Sequence, residues 1–174
     1  MELNFKQPEK PAANQRFVYY TMIIAPVAGN NGWAIALREL IVNSTDAEAQ
    51  QIWITFLPNG SVMIADDGKG MDTKARDSVL SYGFSSKERL DLKTAGANGT
   101  GLKNCLGLAE DISKTRIEIQ TSTDGNTFHQ LDINFDYVVA LAEKTANPSQ
   151  YQKQIHKPKD WCKYFNRTSG TSII

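Results

Sequence analysis

From Trp33 onward, apolar residues return at helical spacing: Trp33, Ile35, Ala36, Leu37, Leu40, Ile41 and Ala47 interleave with Arg38, Glu39, Asn43, Asp46 and Glu48. This 3.6-residue period predicts an amphipathic helix, with Asn30, Asn31 and Gly32 before it as cap material. Two β-prone runs follow, Gln51–Leu57 and Ser61–Ala65, joined by Pro58-Asn59-Gly60. Asn and Gly tolerate positive φ, so the pair reads as an antiparallel hairpin. Thr73–Leu80 reads as a short helix, and Ser81–Gly101 as a long irregular segment without hydrophobic period, of the kind that is either functional or disordered. A helix is predicted from about Leu102 to Asp111, then strands near Arg116–Ser122 and Thr127–Asn134 around an Asp124-Gly125 turn. Tyr137–Lys144 reads as another helix, Thr145–Gly170 shows no clear period, and Thr171–Ile174 reads as a strand. At the other end, Met1–Gln15 forms a loose leader, and Arg16–Val27 is a β-rich stretch, a strand or a strand passing into a short helix. The order helix, hairpin, long loop, helix, hairpin, late strand predicts an α+β sandwich with helices on one face of a mostly antiparallel sheet.

Composition narrows the class without changing that picture. A chain of 174 residues with 41% hydrophobic content is the size of one domain, placed here at residues 16–174 behind the leader 1–15. Acidic and basic residues balance at 19 each, so net charge steers the chain neither to nucleic acid nor to an anionic membrane. The leader has no basic start followed by an apolar run, and the apolar stretches Val18–Ala28 and Trp33–Val42 are too short to span a bilayer, so a cytoplasmic setting is expected, or a nuclear one in a eukaryote. Cys105 and Cys162 lack any metal-ligand spacing and suit a reducing compartment. The sequence ends on Thr171-Ser172-Ile173-Ile174 in mid-strand, and the expectation is a piece of a larger protein cut at its C-terminal end.

Three groups of residues carry candidate chemistry. Glu39 and Asn43 lie four apart and project from one helix face; the carboxylate can take a proton from an attacking water, and the amide oxygen can bind Mg2+ without adding charge. The same spacing also describes an ordinary solvated pair. Asp66-Asp67-Gly68-Lys69-Gly70-Met71 puts an acid at a strand end before two glycines. The glycines permit a turn and close approach of a flat ligand, and the Asp66 carboxylate can accept from an exocyclic amine such as adenine's. A plain β-turn is the alternative, while a calcium loop is disfavoured because its ligand pattern is missing. Gly96-Ala97-Asn98-Gly99-Thr100-Gly101-Leu102-Lys103 sets three glycines before a helix, an anion site of bare amides with Lys103 adding charge, or else a flexible linker into a capped helix. It matches neither the Walker A loop nor the dinucleotide fingerprint.

In this order and spacing, the three groups resemble the GHKL ATPases, the family of gyrase, heat-shock chaperones, histidine kinases and MutL. Leu37–Ala47 is similar to the N-box of the heat-shock chaperones and Morc ATPases, which implies Glu39 as catalytic base and Asn43 as magnesium ligand. Ile64–Met71 resembles the D-x-G-x-G box, which implies Asp66 on adenine and Gly68, Gly70 and Met71 in the pocket wall. Ser81–Lys87 resembles the mobile lid of Morc-like members, Gly96–Lys103 the second glycine box around the phosphates, and Gly170-Thr171 the opening of the family's last sheet strand, with Thr171 near adenine. The phosphate contacts so implied are Lys87, Gly96, Asn98, Gly99, Thr100, Gly101, Leu102 and Lys103. The resemblance covers Trp33–Lys103 by motif and the remainder by element order; Met1–Gly32 and Thr145–Ser169 match no member.

The resemblance also implies the Bergerat two-layer sandwich, a mixed, mostly antiparallel sheet with helices on one face. It further implies ATP and Mg2+ as ligands, hydrolysis coupled to lid closure, and a nucleotide-dependent homodimer. In relatives a following transducer domain supplies a lysine to the γ-phosphate, so hydrolysis by this chain alone is expected to be weak, with Lys103 or Lys87 as substitutes. Nucleic acid would enter only through a longer protein. Two other readings stay open: a module that binds nucleotide without turning it over, and a histidine-kinase catalytic domain, disfavoured because Glu39 occupies the base position and neither His129 nor His156 lies in an N-terminal helical hairpin.

Overall fold

The computed structural model describes residues 32–80, 102, 105, 116–142, 145–159, 161 and 169–174. The leader, the β-rich stretch 16–27, the irregular segment 81–101 and most of the helix expected over 102–111 lie outside these residues. Helix α1 spans Gly32–Asp46, so Gly32 opens the helix itself. Strands β1 (Ile52–Phe56) and β2 (Val62–Asp66) form the expected hairpin, paired Ile54 to Ile64 and Phe56 to Val62. Its turn closes through the Leu57 amide on the Ser61 carbonyl at 2.8 Å, with Gly60 at φ +83°, a conformation that a Cβ would strain. Strand β2 runs one residue further than alternation alone suggested and includes Asp66.

Helix α2 (Thr73–Val79) starts on Asp72, whose side chain accepts from the Ala75 amide at 2.7 Å, an N-cap that satisfies one of the orphan donors of the first turn. Strands β3 (Arg116–Ser122) and β4 (Phe128–Asn134) flank a turn organised by Asp124, which accepts from the Asn126 and Thr127 amides at 2.8 Å each. Helix α3 (Phe135–Ala142) follows β4 without a loop, two residues earlier than periodicity placed it, because the Asn134 side chain caps the Tyr137 amide at 2.9 Å. A 3-10 turn at Pro148–Gln150 leads into β5 (Gln152–Ile155), a strand the sequence did not signal, and β6 is Gly170–Ile173.

The sheet runs β1-β2-β6-β3-β4-β5, and every described pairing is antiparallel, so the expected mixed character is absent among the described residues. β6, last in sequence, is central in space. Side chains at facing positions share a face, and Ile64, Ile173, Ile119 and Leu131 thus form one apolar row across four strands, with Ile117 and Ile133 beside it. Leu40 of α1, Leu80 after α2 and Tyr137 and Val138 of α3 pack on these residues, which makes the two-layer α+β sandwich. Leu102 is also buried in that core. On the opposite face, Trp161 lies over Ala65 and Phe128, edge to face with Phe128 at 4.9 Å between ring centroids, with Trp53 and Ile155 alongside. Met63 of β2 is buried on that face as well, and Arg116 pairs there with Glu118 and Asp132.

Candidate functional site

The apolar rows end abruptly. One step along the strands from Ile64, Ile173, Ile119 and Leu131, the same inward face presents Asp66, Thr171, Thr121 and His129, aligned by register as Asp66 to Thr171, Thr171 to Thr121 and Thr121 to His129. Asp66, Thr171 and Thr121 are buried and His129 half-buried. Four polar side chains in a row on the helix-facing side of a sheet mark where core packing stops and a site begins.

Asp66 is the centre of this row. Ser44 of α1 donates to its Oδ2 at 2.9 Å, and the Gly68 amide to its Oδ1 at 3.0 Å. Burial pushes its carboxyl above the usual range, opposed by the Gly68 amide, the Ser44 hydroxyl and the Thr171 amide, with the Asp67 charge adding to the rise. A buried carboxylate with lone pairs to spare and only 4% exposure is a strong acceptor for a donor that replaces lost water. The neighbouring Asp67 carboxylate braces the chain instead. Its Oδ1 accepts from the Gln50 and Gln51 amides at 2.7 and 2.8 Å and ties the start of β1 to this turn.

The two glycines of the turn answer to the chain itself. Gly70 has φ +70°, and a Cβ there would overlap the Ser122 carbonyl at the end of β3. A Cβ at Gly68 would come within 2.7 Å of the Ala47 carbonyl, just past α1, whose oxygen already accepts from the Lys69 amide at 2.9 Å. At both glycines the backbone of another segment lies against the turn. The turn brings Met71 over the polar row, where its amide donates to Thr121 Oγ1 at 2.8 Å and its carbonyl accepts from Arg76 Nη1 at 2.9 Å. Arg76, buried in α2, also reaches Thr73 Oγ1 at 3.1 Å. Its charge, after desolvation, lowers the His129 pKa, while Asp124 opposes.

Of the residues singled out from sequence, the fold brings Asp66, Gly68, Gly70, Met71 and Thr171 together. Asn43 adjoins Ser44 on α1 and is half-buried. Glu39, one turn earlier, has a 27% exposed side chain 3.4 Å from Arg38 Nη1. Glu39 faces Cys105, whose thiol is pushed up to about 12, chiefly by burial and further by that carboxylate. Leu102 belongs to the core by its side chain. Lys87, Gly96, Asn98, Gly99, Thr100, Gly101 and Lys103 lie outside the described residues. Sequence reasoning missed Ser44, Thr121 and Arg76. The signal for the first two was present: Ser44 continues the buried helical series Ala36, Leu40, and Thr121 the inward alternation Ile117, Ile119.

The chain resembles known proteins in sequence and fold. DNA mismatch repair protein MutL of Bacteroides fragilis (strain YCH46) is 37% identical over 92 residues, 49% of this chain and 15% of that protein. The MutL of Dictyoglomus turgidum is 28% identical over 103 residues, 55% of this chain and 17% of that protein. The chain thus spans only 15% to 17% of these relatives' length. Among solved structures, the N-terminal domain of a DNA repair protein superposes with a TM-score of 0.52 at 20% identity, over 91% of this chain and 38% of that one. The 43K ATPase domain of Thermus thermophilus gyrase B, in complex with an aminocoumarin, gives 0.53 at 14% identity, over 92% and 38%. Identities that low establish the fold. A family match over residues 32–168 takes in α1, the Asp66 turn and the sheet as far as β5. The chain belongs to the histidine kinase-, DNA gyrase B- and HSP90-like ATPases.

Proposed function

We propose that the chain binds Mg-ATP with the adenine against Asp66 and hydrolyses it. The observation that carries this reading is the buried Asp66 carboxylate, held by Ser44 and Gly68 beside Thr171, in a member of this ATPase family. An adenine amine donating to Asp66 replaces the hydration that burial removes. On the same reading, Gly96, Asn98, Gly99, Thr100, Gly101 and Lys103 cradle the phosphates through backbone amides and one cation, and Lys87 or Lys103 meets the γ-phosphate.

Among the described residues no three His, Cys, Asp or Glu side chains form a metal cage. A single neutral amide such as Asn43, completed by phosphate oxygens and water, is a donor set that Mg2+ accepts. When bound, Mg2+ supplies charge neutralisation on the phosphates, and Asn43 would hold it. Glu39, one turn along α1, accepts the proton of the attacking water; the rest of the protein's contribution is positioning. Lid closure and pairing of two protomers would accompany the cycle.

Calorimetry of ATP, ADP and GTP, with and without Mg2+, on the parent and Asp66→Asn tests the reading. Adenine-selective, Mg-strengthened binding that vanishes in the variant is expected; equal binding by the variant would show that Asp66 does not hold the base.

A further inference from the structure

The Thr121 hydroxyl is buried among three polar groups: the Met71 amide at 2.8 Å, the Gly170 carbonyl at 3.1 Å and the Thr171 hydroxyl at 3.1 Å. A threonine hydroxyl has one hydrogen to give and two lone pairs to receive. The amide can only donate and the carbonyl can only accept. One arrangement satisfies all three contacts: Met71 N–H donates to Thr121, Thr121 O–H donates to the Gly170 carbonyl, and Thr171 O–H donates to Thr121. If Thr121 gave its hydrogen to Thr171 instead, it would face the Gly170 oxygen at 3.1 Å with no hydrogen between them, in a place no water reaches. The hydrogen of Thr171 is thus committed inward, and only its lone pairs remain for a ligand. Arg76 steadies this arrangement by holding the Met71 carbonyl, which keeps the amide of the same residue on Thr121.

We infer that Thr121 sets the hydrogen-bond polarity of the base site: acting through Thr171, it makes the Asp66–Thr171 pair a double acceptor that takes a 6-amino purine and rejects a 6-oxo purine. This rests on the reading of Asp66 as the base contact. Asp66 alone discriminates poorly, because an inosine or guanine ring still offers its N1–H to a carboxylate. The O6 of that ring would then meet the lone pairs of Thr171, and a buried acceptor facing an acceptor is a mismatch. An adenine amine has two hydrogens, enough for both. Thr121 is fully buried and touches no ligand, so it is a positioning residue.

The ratio of ITP to ATP dissociation constants, measured by calorimetry with Mg2+, reads this polarity. In Thr121→Val the hydrogen of Thr171 is released and can meet O6, so the preference for ATP should fall about tenfold, while Thr121→Ser restores it. Thr171→Val gives the same fall without disturbing the Met71 and Gly170 contacts, and it guards against a Thr121→Val that does not fold. A purely structural role would weaken both nucleotides by one common factor and leave the ratio at the parent value; that outcome overturns the inference. If the parent binds neither nucleotide, the Asp66 reading fails and this inference with it. If Asp66→Asn abolishes ATP binding yet neither threonine variant moves the ratio, only the inference fails.

Discussion

Asp66 is where stability and function oppose each other. Its folded-state carboxyl lies above the ordinary value because burial disfavours the charge, so the stability it lends is fully present in acid, below its ordinary pKa of 3.8, and is lost as pH rises through the folded value. An asparagine there carries no charge and keeps two of the three contacts outright: its oxygen accepts from Gly68, and its amide donates to a rotated Ser44 hydroxyl. Asp66→Asn should therefore melt higher than the parent at pH 7, by an amount on the order of 1 kcal/mol, with the gap closing toward acid pH. Thermal melts across pH 4–8 check this, and a variant that melts lower at every pH would contradict it. Glu39 lies one turn before Asn43 on the same helix. Glu39→Ala should keep nucleotide affinity and lower phosphate release by about a hundredfold or more, as expected for a removed general base; unchanged release would move the base elsewhere.

At the scale of elements, the Asp66 turn is set by contacts between chain segments. Gly70→Ala would need a positive φ and would overlap the Ser122 carbonyl, so a loss of about 3 kcal/mol or more is expected in chemical denaturation. Asp72→Ala removes only the cap of α2 and should cost about 1 kcal/mol. A ranking in which the cap outweighs the glycine would mean that the turn relaxes freely. Helix α1 was legible from its period, and the β1–β2 and β3–β4 hairpins from their turn residues, because these signals are local. Strand β5 was not: Gln152-Lys153-Gln154-Ile155 has weak β propensity and forms a strand because β4 offers it an open edge, paired Phe128 to Ile155 and Leu131 to Gln152.

Across the whole molecule, the last strand in sequence closes the middle of the sheet. β6 joins β2 to β3, so the hairpins on either side are one sheet only when Gly170–Ile173 is in place. Backbone amides of Thr171–Ile173 should then exchange with solvent at rates close to global unfolding, and those of β1 and β5, the outermost of the described strands, faster. Hydrogen exchange resolved by residue checks this, and rapid exchange in β6 would mean that the two hairpins hold together without it. Pairing of protomers is the remaining whole-molecule expectation: light scattering with a non-hydrolysable ATP analogue should show twice the mass seen without nucleotide, and an unchanged mass would remove dimerisation from the proposed cycle.

The sequence by itself determined which segments form α1, α2 and the two hairpins, the α+β class, and the three motif groups, because period, turn chemistry and motif spacing are properties of neighbouring residues. Only the tertiary structure decided which residues meet. Asp66, Thr171, Thr121 and His129 come from four strands spread over more than half the chain, and they form a row because antiparallel register places them opposite one another. Period and alternation turn Ser44 and Thr121 inward, but packing put one on the Asp66 carboxylate and the other under Thr171. Their roles depend on distances between strands and helix that no local pattern encodes.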